Sequence, residues 1–396
     1  MHELDLDDLG LDAGAHLLLK RALAAIGVGE QLRVTGTAPE LALHLATWCR
    51  AQGHRFVPAE RGGGTVERGS AAVGRWCAAE RNGDADATRP GAVVDRPPAH
   101  WGLAARGASL EAGAPEFEFR LRDKDVVWAD DLHGLYEQAA AAQWDPAGAL
   151  PWDAEFELPD EVEDAVVQVM TYLVENENAA LTVPARFLGQ VHPHFREVVQ
   201  LLAIQVADEA RHVEVFTRRA LRRRDRFGLS TVGGQASLKS LLDEPDFALA
   251  MFLLSVMGEG SFLSLLWFLR DHAPDVLTRE IARMTAQDEA RHVAFGLAHL
   301  ERHVQRDPTL HARLAAAIRR RSDTLAHTAG LNEEVFDALL LLSAGSYSLP
   351  DLRRGHDAVM ALQRDMDSGR KRRLARLGFD AELAEELSAL HTRNFM

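Results

Sequence analysis

One hexapeptide occurs twice in this chain. Asp208-Glu209-Ala210-Arg211-His212-Val213 returns as Asp288-Glu289-Ala290-Arg291-His292-Val293. Each copy sits in a stretch with helical apolar spacing, and residues three apart on a helix share a face. Glu209 therefore projects with His212, and Glu289 with His292. Each pair offers a carboxylate oxygen and an imidazole nitrogen, a mixture that suits borderline divalent metals such as iron and manganese. A fold that uses both pairs must set two helices side by side with these faces inward.

The spacing predicts four long helices over about 159–188, 194–224, 245–271 and 275–304. Their connections are short except for Gly228–Leu242, read as a Gly- and Ser-rich loop, so antiparallel neighbours are expected. A two-metal site in such a bundle takes one further Glu from each of the two remaining helices. On the first helix Val166, Met170, Leu173, Glu177, Leu181 and Pro184 form one stripe, with Glu177 inside it; Glu175 steps with polar neighbours. On the third, Phe252, Ser255 or Val256, Glu259, Phe262 or Leu263 and Leu266 place Glu259 the same way. A buried, unpaired carboxylate costs several kcal/mol or takes up a proton. Four of them opposite two divalent cations make a neutral core. The expected metal ligands are thus Glu177, Glu209, His212, Glu259, Glu289 and His292. Three more helical segments are read beyond the bundle, with the last, from Arg370 to the end, packing through Leu374, Leu377, Leu383, Leu387 and Leu390.

Over about 130–305 the chain resembles the ferritin-like diiron-carboxylate family on its oxygenase side. Asp208–His212 and Asp288–His292 are similar to the motif of bacterial multicomponent monooxygenases and acyl-carrier desaturases, and the single-chain layout looks like the arylamine N-oxygenases. The resemblance implies two iron ions, or a manganese/iron pair, with O2 as oxidant. It also implies that Asp208 faces His292 and Asp288 faces His212, with Arg211 and Arg291 balancing the aspartates. Phe216, Phe262, Trp267 and Phe295 are the candidate walls of a substrate pocket. Two departures are informative. Phe216 stands where the radical-generating subunit of ribonucleotide reductase carries a Tyr, and Thr285 stands where the N-oxygenases add a His. His192, His194, His272 and His299 are read as helix-end or surface residues.

Residues 1–57 read as a small α+β unit with strand, helix, strand, helix, strand. Leu4-Asp5-Leu6, Lys20–Leu23, Gly29-Glu30, Leu32, Val34, Thr37-Ala38-Pro39, Trp48-Cys49-Arg50 and Gly53-His54 resemble the TusA/SirA-like sulfur-carrier domain. That family carries a Cys just before its first helix; here the segment is Leu11–His16 and holds none, which implies docking or structure in place of sulfur transfer. Residues 58–115, rich in Gly, Arg and Pro, read as a linker or loose lobe, 116–157 as a lead-in, 158–305 as the bundle and 306–396 as helices packing on it.

The expected fold class is therefore mainly α: a ferritin-like four-helix bundle with C-terminal helices, preceded by a small α+β TusA-like domain. A net charge of −15 disfavours nucleic acid and anionic membranes as partners. The apolar run Phe247–Leu269 is interrupted by Glu259 and reads as a buried helix, not a membrane span. Two cysteines give no disulfide framework and no thiolate metal site, so a reducing cytoplasm is expected. The functional expectation is an O2-activating dimetal monooxygenase or oxidase acting on a small organic molecule, an amine or a carrier-linked group being the candidates. Electrons would come from an external donor, a reductase or ferredoxin, because the chain has no dinucleotide fingerprint or iron–sulfur Cys set. A homodimer is expected. The competing readings are a metal-storage protein and a non-catalytic interaction protein.

Overall fold

The computed structural model describes residues 2–60, 62–326 and 333–391. They form two compact units, Met1–Arg81 with Ser109–Ala114, and Asn82–Ala108 with Pro115–Met396.

The first unit is a mixed sheet with two helices. In chain order it runs β1 (His2–Asp5), α1 (Ala15–Ala24), β2 (Gln31–Thr35), α2 (Leu41–Gln52), β3 (Arg55–Pro58) and β4 (Gly64–Glu67). The strand order is β1-β2-β4-β3, with β1 and β2 parallel and the other neighbours antiparallel. A further two-stranded ribbon joins β5 (Glu80–Arg81) to β6 (Ser109–Leu110). Alternation in β2 buries Leu32 and Val34 against Leu19, Leu23, Leu45 and Val66. The boundary read at residue 57 is thus too early, because β4 lies between β2 and β3 and completes the sheet. Four residues are too few to show a period, which is why this strand reads as linker. Cys49 is fully buried, and burial pushes its thiol up to about 11, so it is inert packing.

The second unit is a mainly α, ferritin-like bundle. Short helices α3 (Lys124–Val127) and α4 (Leu132–Ala141) lead into it. Its long elements are α5 (Asp160–Leu188), α6 (Arg196–Ala220), the continuous run α8 (Phe247–Met251), a π-helical stretch Phe252–Glu259 and α9 (Gly260–His272), and then α10 (Val276–Arg306). Helices α5 and α6 form one hairpin, and α9 and α10 the other. Helix Phe247–His272 is long and apolar enough to cross a membrane, but 89% of its most apolar stretch is buried inside the fold. Between the hairpins the expected loop contains a helix, α7 (Val232–Leu242). Thr231 caps it by accepting from the Gly234 N–H at 3.0 Å, and Ser237, Leu238 and Leu241 form its buried face. Cap and stripe outweigh the propensity cost of Gly233 and Gly234.

Four helices follow among the described residues, not three: α11 (Leu310–Ala326), α12 (Glu333–Ala344), α13 (Leu349–Arg376) and α14 (Ala381–His391). They pack on the bundle: α12 lies on α5, and α13 lies on α9. A buried ionic knot fixes the far end. Arg219 of α6 donates to both Glu163 oxygens of α5 at 2.7 and 3.0 Å, and to Asp275 and Thr278 at the start of α10 at 2.9 and 2.8 Å.

Candidate metal centre

The two hairpins bring the six expected ligands to one place in the core. Glu177 comes from α5, Glu209 and His212 from α6, Glu259 from the end of the π-helical stretch, and Glu289 and His292 from α10. All six are at most 5% exposed. They form two overlapping groups, each with donor atoms within 4.8 Å of one another: Glu177, Glu209, His212 and Glu289, and Glu209, Glu259, Glu289 and His292. Glu209 and Glu289 belong to both. Each group could hold one metal ion, with the shared carboxylates between them.

The imidazoles face this centre through Nδ1. His212 Nδ1 lies 3.1 Å from Glu209, 3.3 Å from Glu289 and 3.6 Å from Glu177. His292 Nδ1 lies 3.0 Å from Glu209 and 3.5 Å from Glu289. The outer nitrogens are held crosswise: His212 Nε2 meets Asp288 at 3.1 Å, and His292 Nε2 meets Asp208 at 3.2 Å. An Nε2–H donated to a carboxylate leaves the Nδ1 lone pair aimed inward.

Around the aspartates lies a second layer. Asp288 also accepts from Arg211 at 2.9 Å, from Arg291, and from the Trp144 indole at 2.7 Å. Asp208 accepts from Arg211 and from Gln143 at 2.8 Å. Gln205 donates to Glu259 at 2.9 Å. Sequence reasoning missed Gln143, Trp144 and Gln205. Gln205 was findable, since it stands one turn before Glu209 on the same stripe. Gln143 and Trp144 lie just past the end of α4, at the edge of its helical pattern.

The electrostatics fit a cationic occupant. Burial pushes the Glu177 and Glu259 carboxyls well above the usual carboxylate range, and the neighbouring glutamates push them further. Burial also opposes the charge on Glu209, but the two His rings outweigh it and hold this carboxyl well below that range. Burial disfavours charge on His212 and His292 too, and their acidic neighbours overcome it and raise both. Several donor atoms have no hydrogen-bond partner despite complete burial: Glu177 Oε1, Glu209 Oε1, Glu259 Oε2, Glu289 Oε2 and His292 Nδ1. His292 Nδ1 and Glu209 Oε1 are 3.0 Å apart yet off-axis for a hydrogen bond, as expected of two atoms that converge on a third. Buried lone pairs left unmatched are costly, and two divalent ions would balance the charge of the four carboxylates.

On one side of the centre lies a narrow, mostly apolar cavity of about 20 Å³, lined by Glu177, Glu259, Glu289, Asn176, Leu238 and Phe262 among others. Of the four expected pocket residues only Phe262 lines it. Phe216 packs 6.5 Å from the His212 ring, Phe295 sits 5.7 Å from His299, and Trp267 lies under Arg270. The missed walls include Leu238 and Leu241, contributed by α7. Thr285 is buried with its hydroxyl unpartnered and offers no imidazole. His192, His194 and His299 are also fully buried, contrary to the surface reading. His194 is held by Asn82 at 2.6 Å and by the Val94 N–H at 3.0 Å, partners about a hundred residues away that no local pattern reveals.

No known family model matches the chain, and no curated protein does. Among solved structures it is similar to an R2-like ligand-binding oxidase from Sulfolobus acidocaldarius (16% identity, 64% of this chain and 93% of that one, TM-score 0.43). A mutant R2-like ligand-binding oxidase with an aerobically reconstituted Mn/Fe cofactor gives 17% identity, 66% and 94% coverage and a TM-score of 0.45. A Synechococcus protein with aldehyde deformylating oxidase activity gives 16%, 58%, 96% and 0.41. Likeness at this level says nothing about chemistry; the donor set of the centre does.

Proposed function

We propose that this protein is a dimetal-carboxylate oxidase that activates O2 at an iron pair, or a manganese/iron pair, and oxidises a small organic substrate. The single observation that carries the reading is the pair of overlapping donor groups sharing Glu209 and Glu289, buried beside an apolar cavity. Glu177 and His212 would complete one ion's protein ligands, and Glu259 and His292 the other's. When bound, the metals supply the redox chemistry that a carboxylate–imidazole core lacks.

The chain's own residues do the rest. Asp208 and Asp288 orient the imidazoles. Burial disfavours charge on Asp288, but His212, Arg211 and Trp144 outweigh it and keep its carboxylate ionised, so its task is to hold a proton on His212 Nε2 and not to pass one on. Leu238, Leu241, Leu254 and Phe262 exclude water and favour a hydrocarbon body next to the centre. At about 20 Å³ the cavity holds little more than a water, so a substrate enters by displacing a wall, and α7 is the wall contributed by a separate short helix. With Phe216 and Thr285 in their places, neither a tyrosyl radical at that position nor the extra His ligand of the N-oxygenases is part of the proposal. An external reductase or ferredoxin would supply electrons.

Anaerobic ferrous titration followed by measured O2 pulses tests this. Saturation at about two ions per chain, with O2 consumed in stoichiometric proportion and no mineral formed, is the expected result. Uptake of many ions into mineral would establish storage. No binding at all would establish a non-catalytic bundle.

A further inference from the structure

The π-helical stretch ends on a metal-centre residue and touches Arg373, an arginine that the proposed chemistry does not use. The Gly260 N–H bonds Ser255 O, five residues back, instead of Val256 O. Arg373 of α13 donates from Nε to Val256 O at 2.6 Å. Its guanidinium occupies the space a side chain at position 260 would fill: a Cβ added to Gly260 would lie 2.5 Å from Arg373 Cζ. Beside it Arg370, fully buried, donates to Ser261 at 3.3 Å and Ser388 at 3.1 Å. Neither arginine has a carboxylate within ion-pair distance among the described residues, and the Nη2 atom of each is shielded from solvent without a partner. Burial pulls the Arg373 guanidinium down to about 9, and Arg370 and Arg372 add to that. A shielded, unpaired cation destabilises a fold, so its one strong bond, to the carbonyl displaced from the α-helical pattern, is the informative contact.

A wide turn inserts one residue into a helix and swings everything beyond it by about 100° around the axis. Glu259 is the last residue of that turn. We infer that Arg373 is a positioning residue: by holding Val256 O and filling the place left open by Gly260, it stabilises the π-helical turn that aims Glu259 at Glu209, Glu289 and His292. The inference rests on the dimetal reading and makes the affinity of one metal position depend on a side chain behind the helix.

Gly260→Ala tests it without removing any polar group. The backbone there is helical, at φ −61°, so Ala is accommodated by the chain and is the better helix former; the added methyl evicts the guanidinium. Manganous ion titrated calorimetrically into the full chain is the probe. Gly260→Ala and Arg373→Ala should each weaken one of two manganese sites at least tenfold and leave the other unchanged. Arg373→Lys should recover part of the loss, because an ammonium can still donate to Val256 O. Arg372→Ala, an exposed neighbour, should change neither site. In a His292→Ala background the remaining site should be insensitive to Gly260→Ala. Two sites of wild-type affinity in both Gly260→Ala and Arg373→Ala would overturn the inference, and so would a parallel weakening of both sites. If Arg373→Ala fails to fold, Gly260→Ala decides alone. A wild-type chain that binds no manganese or iron refutes the dimetal reading itself, a separate result.

Discussion

Asp288→Asn separates the two metal positions. The Asp288 carboxylate accepts from His212 Nε2 at 3.1 Å, Trp144 Nε1 at 2.7 Å and Arg211 at 2.9 Å, and from Arg291. The first three bonds all use Oδ2, so the Asn carbonyl takes that place and turns its amide toward Arg291, donor against donor. A hydrogen bond to a charged group contributes about 1.5–3 kcal/mol and a neutral one about 1 kcal/mol, so the His212 bond weakens by about 0.5–2 kcal/mol. That corresponds to a loss of roughly tenfold in metal affinity, at the lower end of the tenfold to hundredfold typical of groups that orient a ligand His. The loss should fall on the ion held by Glu177 and His212. Asp208→Asn should do the same to the ion held by Glu259 and His292, because Asp208 holds His292. Calorimetric titration with manganous ion, read as two sites, measures both. Equal weakening of the two sites by either variant, or none by both, refutes the orienting role.

Three further outcomes follow from the same structure. Leu238→Trp fills the cavity beside the centre and should keep two metals per chain while abolishing substrate-dependent O2 uptake; uptake at the wild-type rate would place the substrate elsewhere. Arg219→Met leaves Glu163 and Asp275 buried without their cation and should lower unfolding stability in urea by about 3–5 kcal/mol. Burial and then Arg106 lower His194 from 6.5 to about 4, so the unfolded chain binds the proton first on acidification. Its contribution, about 3 kcal/mol, is intact above pH 6.5 and drains away as pH falls towards 4. Urea midpoints taken across that window should fall in the wild type and flatten in His194→Gln.

The centre was unusually legible because its residues lie on helices with regular periods. Two ExxH faces and two apolar stripes, each broken by one Glu, were enough to bring Glu177 and Glu259 to the motif pairs. What escaped was whatever depended on distant or irregular backbone. The stripe through Ser255 and Glu259 reads as ordinary α-helix, and only the structure shows the wide turn between them. Trp144 and Gln143 reach the aspartates from just past the end of a short helix, where its pattern gives out. His194 looked like a solvated helix-end residue because Asn82, which holds it, lies in a stretch read as linker. The helix α7 was hidden behind its glycines, though Leu238 and Leu241 three apart were the clue.

The doubled motif relates the two halves of the centre by an approximate dyad, with each aspartate crossing over to the other copy's histidine. The surroundings break that symmetry. Asp288 is tied to an indole and two guanidiniums, whereas Asp208 is tied to one guanidinium and an amide. One imidazole is therefore backed by a carboxylate whose charge is more fully spent, and its basicity is lower. Two chemically identical ligand sets would thereby be ranked, and metals added one at a time should fill the positions in a fixed order.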